Sequence, residues 1–573
     1  MTKIERRPIV AGAEHWPWPE GMHRVLRQVF SRRPLRSADE VGLELKALTP
    51  VGEFGALEAA VELLSRHRTN AIVIVGDFDA DGATSSALMF LTLRALGFPR
   101  VDYFIPDRFE LGYGLTPEVV ERTRSFAPAL IVTVDNGITS VAGVEAARDA
   151  GIDVLITDHH LPGAVLPRAN VLVDPNIAGD PFSGKHLAGV GVAFYLLAAL
   201  GKALGQPKAV LDYLDLVALG TVADLVRLDR SNRILVSQGL KRIRAGRCRP
   251  GLAALLELAG VRLAETTAET LGYQIGPRLN AAGRLADMSV GVRCLTTEDE
   301  TEARGLAAQL DSLNRERREI EARMKEEAVD LVAAAESLAG DAALPHVLCL
   351  KHDDWHQGLV GLIASRIKER CTRPTFAFAP GEGGRLKGSG RSIAGFHLRD
   401  ALAEVDAQHP SLIERFGGHA MAAGLTLAPG AFDAFAAAME AIGSERLDPD
   451  AFASRVLTDG ELEPEDISVE VASLLRDAAP WGQGFPAPCF DGCFEVLSRR
   501  VLKDAHLKMK LRPVGGGAAA LDAIAFNCVD SIGAEASADG SGLRLAYRLG
   551  VNSYFETLRV ELVVEHIEPM VSS

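Results

Sequence analysis

At 573 residues the chain exceeds what one hydrophobic core organises, so about two to four domains are expected. Its 61 Lys+Arg against 76 Asp+Glu give a net charge of −15, which excludes wholesale binding of polyanions and confines any nucleic-acid contact to local basic channels. Seven scattered cysteines exclude a disulfide framework, and the opening MTKIERRPIV has no apolar signal core, so a reducing, cytoplasmic setting away from membranes is expected.

Residues 1–45 carry Trp16, Trp18, several prolines and an arginine-rich stretch, and read as an extension packed on the body. From 46 to about 225 strands alternate with helices: AIVIVGDFDADG (71–82), VDYFIPDR (101–108), ALIVTVDNG (129–137), DVLITDHH (153–160) and NVLVDP (170–175). Short, β-branched runs bounded by polar residues are the mark of strands buried on both faces. The alternation predicts an α/β fold with a doubly wound parallel sheet, and a helix over 83–96 after the first strand. The most apolar stretch, 190–200, is too short to span a bilayer and reads as a buried helix. Residues 208–300 look mostly helical and complete a first domain over 46–300.

A stripe of Leu306, Leu310, Leu313, Ile320, Met324 and Leu331 between charged faces predicts a long, partly exposed connector helix over 301–340. A second α/β domain over 341–454 begins at HVLCL (346–350) and contains GEGGRLKGSGRS (381–392) and FGGHAMAAG (416–424). From 455 to 573, short alternating runs such as HLKMKLRPV and LRVELVVEHI predict a small antiparallel, OB-like barrel, with a hairpin loop at 515–520. Cys489 and Cys493 lie there without a second pair to complete a zinc set.

Three of the early strands end in acid or acid-histidine clusters. The carboxyl ends of parallel strands line the ligand crevice of an open sheet, so Asp77, Asp79, Asp81, Asp135, Asp158, His159 and His160 should share one edge. So many acids repel one another unless cations neutralise them, and carboxylates with imidazole but no thiolate suit Mn2+ or Mg2+. A site for two ions is therefore expected. The spacing of Asp77, Asp79 and Asp81 opens like a calcium loop, but its twelfth position is Leu88 where a bidentate acid is required, which removes that reading. Helix capping needs one acid and leaves the other two unexplained. Adjacent histidines point apart, so one of His159 and His160 is expected on a metal and the other on substrate phosphate or a proton. Neither Gly-Lys pair, at 184–185 or 201–202, is followed by Ser or Thr, so ATP hydrolysis is not expected.

In order, DxDxDG, a strand-terminal Asp-Asn-Gly and a literal Asp-His-His resemble the DHH phosphoesterase superfamily. GTVADLVRL (220–228), GPRLNAAGR (276–284), GSGRS (388–392) and FGGHAMAAG resemble its RecJ family of single-strand-specific exonucleases, and the resemblance runs from about residue 70 to the C-terminus. It implies metal ligation by Asp79, Asp81, Asp135, His159 and Asp224, with Asp135 bridging two ions and Asp158 orienting the histidines that follow it. Pyrophosphatase-like relatives carry a His where this chain has Val75, and Asp77 is expected to substitute. Catalytic work falls to Asp135, Asp158 and His160. The resemblance further implies substrate contacts by Arg108, Arg278, Asn280, Arg284, Ser389, Arg391, Ser392 and His419, several of them around a 5′-terminal phosphate.

Two basic stretches, 227–249 with eight Lys/Arg against one acid and 499–512 with six against one, offset the acidic total and could carry single strands. The reading is a Mn2+/Mg2+-dependent enzyme with two ions, degrading single-stranded DNA 5′→3′ to nucleoside 5′-monophosphates in repair and recombination. The strand is expected in a groove between the two α/β domains. A monomer is expected, with a single-strand-binding protein and a helicase as partners implied by the family. Two rival readings are a smaller-substrate DHH phosphodiesterase for oligoribonucleotides or cyclic dinucleotides, against which the barrel and long connector speak, and a metal-bound nucleic-acid-binding factor without catalysis.

Overall fold

The computed structural model describes residues 3–570 except 109, 340–343, 453, 504, 515–519, 527, 529–539 and 553–557. The expected hairpin loop at 515–520 falls almost wholly outside the described residues. Contacts divide the chain into two compact units: one holds 4–314 and 456–573, the other 315–455 with the first three residues.

In the larger unit, β1 (Ile72–Gly76) leads into α1 (Ala80–Ala95), followed by β2 (Val101–Phe104), β3 (Leu130–Val134), β4 (Asp153–Thr157) and β5 (Val171–Val173). The sheet order is β2-β1-β3-β4-β5, and every pair is parallel. β1 and β3 are buried along their whole length, as their unbroken apolar sequence requires. Helix α1 begins earlier than the apolar pattern alone suggests, because Asp79 caps it, its Oδ1 accepting from the N–H groups of Asp81 at 2.9 Å and Gly82 at 3.0 Å. One of the three clustered acids thus does play the capping role. Helices α2 (Gly189–Ala203) and α3 (Leu214–Ala223) pack against α1, and α4 (Gly276–Leu285) follows a π-helical turn at Leu271–Ile275. The chain steps from β1 out to β2 and then returns to the far side of β1 as β3. That reversal is the switch point where ligands bind in such sheets, and it lies between the Asp77–Asp81 loop and Asp135.

The long helix α5 (Glu300–Ala339) spans 40 residues, and the division between units falls within it. The smaller unit continues with β6 (Leu348–Lys351), α6 (Val360–Cys371), β7 (Thr375–Pro380), β8 (Leu386–Arg391), β9 (Ile413–Gly418) and β10 (Ala422–Leu427). Its sheet order is β9-β10-β8-β7-β6, parallel only between β6 and β7.

The C-terminal strands β11 (Phe490–Leu502), β12 (His506–Pro513), β13 (Leu521–Ala525), β14 (Gly542–Asn552) and β15 (Arg559–Pro569) close into a barrel of order β11-β12-β13-β15-β14. The expectation of a wholly antiparallel barrel is corrected here: β13 and β15 run parallel, Asp522 opposite Glu561. A closed ring of five strands cannot alternate direction throughout, so one parallel pair is unavoidable. The N-terminal extension is tied to the segment leading into this barrel, with Arg7 N–H donating to Thr458 O at 2.8 Å and the fully buried Arg33 guanidinium forking onto Asp459 at 2.6 and 2.8 Å. Among the described residues no helix is long and apolar enough to cross a membrane.

Candidate metal centre

The parallel strands deliver their terminal acids to one edge, and the local backbone aims them inward. Asp81, in the first turn of α1, is fully buried and faces the start of α2, where Gly189 N–H donates to its Oδ2 at 2.6 Å and Val190 N–H to its Oδ1 at 3.0 Å. Gly189 also lets Asp135 come close to this helix start, since a Cβ there would lie 2.6 Å from both Cβ and Oδ1 of Asp135. Asp135 itself adopts the left-handed region at φ 61°, a costly conformation for a residue with a side chain. Its turn is pinned by Asn136, whose Nδ2 donates to Val75 O at 3.1 Å and Val134 O at 2.9 Å.

Asp158 is buried and surrounded by donors: Ile138 N–H on Oδ2 at 2.9 Å, and His159 N–H, His160 N–H and His160 Nδ1 on Oδ1 at 2.7, 3.1 and 2.8 Å. It therefore orients both histidines. His159 Nε2 then lies 3.1 Å from Asp135 Oδ1, 3.5 Å from Asp224 Oδ2 and 4.0 Å from Asp81 Oδ2. Asp135 Oδ1 and His159 Nε2 are close, yet neither is in hydrogen-bonding alignment with any partner although both are buried. Buried polar atoms are seldom left so unless something else is to bind them.

The carboxylates and imidazoles fall into three overlapping sets, each with ligand atoms within 4.8 Å of one another: Asp77, Asp79 and Asp135; Asp81, His159 and Asp224; and Asp135, His159 and His160. The first two are two separate candidate positions, and the third links them through Asp135 and His159. All donors are oxygen or imidazole nitrogen, the set that suits Mn2+ or Mg2+.

The electrostatics match. Burial, then the neighbouring carboxylates, push Asp77 and Asp135 well above the usual carboxylate range. Burial and Asp224 raise Asp81 to about 7, and burial and Asp79 raise Asp224 to about 8. Burial lowers His159, keeping it neutral and able to act as a ligand. Burial would also lower His160, but Asp158 more than reverses that and lifts it to about 10. Burial would raise Asp158 in turn, and the bonds and charge of the histidines hold it below its ordinary value.

Among the residues expected to touch substrate, Arg108 lies over the Phe78 ring at 4.6 Å, where Asp77 and Asp79 act on its charge. Three others sit on α4. Asn280 Oδ1 accepts from Ala80 N–H at 2.8 Å, anchoring α4 to the acid loop, and Arg278 Nε donates to Asp311 at 2.9 Å. Arg284 occupies the last turn of the same helix. In the smaller unit, Arg391 Nη1 donates to Ser389 Oγ at 2.9 Å and to Gly390 O at 2.8 Å. Both side chains meet the first turn of α6, where a Cβ on Gly361 would lie 2.9 Å from Arg391 Nη2 and 3.1 Å from Ser389 Oγ. Ser392 is buried, with its hydroxyl donating to Phe396 O at 2.6 Å, a bond that a substrate contact would have to replace. His419 is exposed in the connection between β9 and β10, where its N–H donates to Ala422 O at 2.8 Å.

Two residues of the site went unnoticed in the sequence. Tyr113 OH lies 3.3 Å from His160 Nδ1, and its ring meets Phe78 and His160 edge-on. Its signal was an aromatic between Gly112 and Gly114 shortly after a strand. Asp174 ends β5 as the other acids end their strands; burial raises it to about 8, and its Oδ1 accepts from the N–H of Asn176, whose Nδ2 donates to His159 O at 2.6 Å. The run NVLVDP carried the same signature of an apolar strand ending in acid.

Known families cover most of the chain. The DHH family, N-terminal domain, matches residues 71–221, the DHHA1 domain 344–445 and the RecJ OB domain 458–566. A single-stranded-DNA-specific exonuclease RecJ of Dickeya dadantii is 48% identical over 583 residues, covering 100% of both chains. Two crystal structures of RecJ from Thermus thermophilus superpose on the whole chain. The complex with Mn2+ has a TM-score of 0.81 at 30% identity and 80% coverage of that chain, and the complex with Mg2+ a TM-score of 0.75 at 28% and 78%. With full-length identity of this order and all three domain families in sequence, the chain belongs to the RecJ family of the DHH superfamily.

Proposed function

We propose that the chain is a divalent-metal-dependent exonuclease that hydrolyses single-stranded DNA 5′→3′ to nucleoside 5′-monophosphates, in DNA repair and recombination. One observation carries the chemistry: buried carboxylates at the sheet switch point are uncompensated by the fold and arranged as two linked donor sets. Kinship with exonucleases named for single-stranded DNA supplies the substrate class. Mn2+ or Mg2+, two ions per site, would be held by Asp77, Asp79 and Asp135 on one side and by Asp81, His159 and Asp224 on the other, with Asp135 shared. When bound, such ions lower the pKa of water and offset charge developing on a phosphodiester.

The chain's own groups supply position and charge. Asp81 is fixed by the two α2 amides and cannot swing away from its donor set. Asp158 locks His160 Nδ1, so the imidazole is charged at neutral pH and can donate from Nε2 to a non-bridging phosphate oxygen or to the departing oxygen. In the smaller unit, Ser389 and Arg391 at the N-terminal end of α6 form an anion site, which supports a seat for the 5′-terminal phosphate and hence the polarity. Partners would be single-stranded DNA with a 5′ end and, by family resemblance, a single-strand-binding protein and a helicase; a cytoplasmic monomer fits this reading. The test is digestion of an end-labelled single strand with Mn2+ or with EDTA. Mononucleotides released from the 5′ end only with metal are expected. Persistence of the intact strand with Mn2+, or release from the 3′ end, would reject the proposal.

A further inference from the structure

We infer that Leu225 and Tyr273, on two segments that meet at the end of α3, form an apolar lip that contacts the nucleobases of the bound strand and so contributes to the preference for single strands; this rests on the reading of the site as a single-strand nuclease. Leu225 directly follows Asp224 at the end of α3, in the left-handed region at φ 58°, with its N–H on Val222 O at 3.3 Å. Helices commonly place glycine there, because the Cβ of any other residue is crowded in that conformation. Burial does not offset the strain, since Leu225 is 62% exposed. A glycine would remove both the strain and the exposed apolar surface. A strained, apolar, exposed residue next to a candidate ligand is accounted for by a contact outside the chain itself.

Tyr273 is the second observation. It is 70% exposed on the π-helical turn Leu271–Ile275, a conformation frequent at functional sites. That turn rests on the last turn of α3: a Cβ on Gly272 would lie 3.0 Å from Val222 Cγ1, and one on Gly276 3.1 Å from Ala223 Cβ. Both apolar residues therefore border the helix end that carries Asp224. A leucine side chain cannot hold phosphate. The apolar surface that a DNA strand offers is the face of its bases, and aromatic or aliphatic contact accepts any base. In a duplex those faces are stacked within the helix, so the lip finds its counterpart only on an unpaired strand.

The experiment uses the full chain with Mn2+, as wild type, Leu225→Gly, Leu225→Met and Tyr273→Ala. Substrates are a single strand with normal bases and the same strand made abasic at its 5′-terminal nucleotides. Leu225→Gly is expected to raise KM about tenfold on the intact strand, the size of effect one lost apolar contact produces, with kcat little changed, and to raise Tm. Leu225→Met should restore most of the affinity. On the abasic strand the KM of Leu225→Gly should equal that of wild type, and Tyr273→Ala should show the same dependence on the base. An unchanged KM on the intact strand, an equal KM rise on the abasic strand, or a lowered Tm would overturn the lip, the last by showing that the side chain serves the fold. Failure of wild type to degrade the intact strand would instead reject the nuclease reading, so the two failures are distinct.

Discussion

Two sets of buried aspartates within one compact unit are treated in opposite ways. Beneath the N-terminal extension, Asp459 receives both arms of the Arg33 guanidinium, Arg7 at 3.3 Å and Cys489 N–H at 3.0 Å. Asp491 accepts from Arg6 at 2.9 Å and Thr458 Oγ1 at 2.7 Å; burial would raise it, but these bonds hold it below its ordinary value. At the sheet edge, Asp77, Asp81 and Asp135 are also drawn out of water and Asp224 is half-buried, and all four are pushed upward by burial and by neighbouring carboxylates. The pull of Arg108 and His160 on Asp77 does not reverse this. Acids that tie the fold together come with arginines from the chain, whereas acids intended for outside cations are left uncompensated.

Substitution should separate the two sets most sharply. Asp135→Ala removes a carboxylate of the first donor set that also lies 3.1 Å from His159 of the second, and hydrolysis of a single strand with Mn2+ should fall by about 10³-fold, as losses of preorganised transition-state stabilisation do. Its melting temperature in EDTA should hold or rise, because an acid buried among other acids without a counter-charge from the fold has been removed. Asp459→Asn should do the reverse. It leaves Arg33 buried without its counter-charge, which costs about 3–5 kcal/mol of stability, while activity per folded molecule is unchanged. Melting curves and initial rates on both variants decide the matter. Comparable stability losses in the two would break the comparison.

The sequence made the sheet-edge set visible because buried parallel strands are unbroken apolar runs, so an acid at their end stands out. Asp77, Asp79, Asp81, Asp135 and Asp158 are all of this kind, and Asp174 obeys the same rule but was not singled out. The Arg33–Asp459 tie had no such signal: its partners are far apart in sequence, and each looks like ordinary surface charge. Sequence also does not reveal which polar groups the fold itself consumes. Asn280, Arg278 and Ser392 are polar residues in glycine-rich motifs, and only the structure shows Ala80, Asp311 and Phe396 already holding them. The all-antiparallel barrel was a matter of arithmetic, since alternation within each strand says nothing of how five strands close.

Acidity and metal sharpen the comparison at the next level. For Asp77, Asp81, Asp135 and Asp224 the folded pKa lies above the unfolded value near 4, so the metal-free fold holds protons that the unfolded chain has released. Stability in EDTA should therefore decline as pH rises from about 5 to about 8, the range set by Asp81 at about 7 and Asp224 at about 8. Mn2+ competes with those protons, so the stabilisation it gives should grow over the same range, reaching about 2.7 kcal/mol at a hundredfold excess over Kd. Asp135→Ala should flatten both trends, and Asp459→Asn should leave them intact. A Mn2+ shift in melting temperature independent of pH would show that the carboxylates are ionised without metal, and the contrast with Asp459 and Asp491 would lose its basis.

The smallest expected effect concerns Tyr113. Its hydroxyl lies 3.3 Å from His160 Nδ1, but that nitrogen is held more closely by Asp158 at 2.8 Å. Loss of one such hydrogen bond is worth about 0.5–1.5 kcal/mol, so Tyr113→Phe should lower kcat only a few-fold. The ring contacts with Phe78 and His160 remain, so the imidazole keeps its place. Its charge also remains, because Asp158 is what raises His160 to about 10. The pH profile of kcat should consequently be unchanged in Tyr113→Phe. In Asp158→Asn, by contrast, the imidazole loses the counter-charge that keeps it protonated, and activity should fall as pH rises through the ordinary histidine range. A collapse in Tyr113→Phe as deep as that of Asp135→Ala would place the phenol on the reacting phosphate, and the hydroxyl would then belong with the uncompensated set instead of merely supporting it.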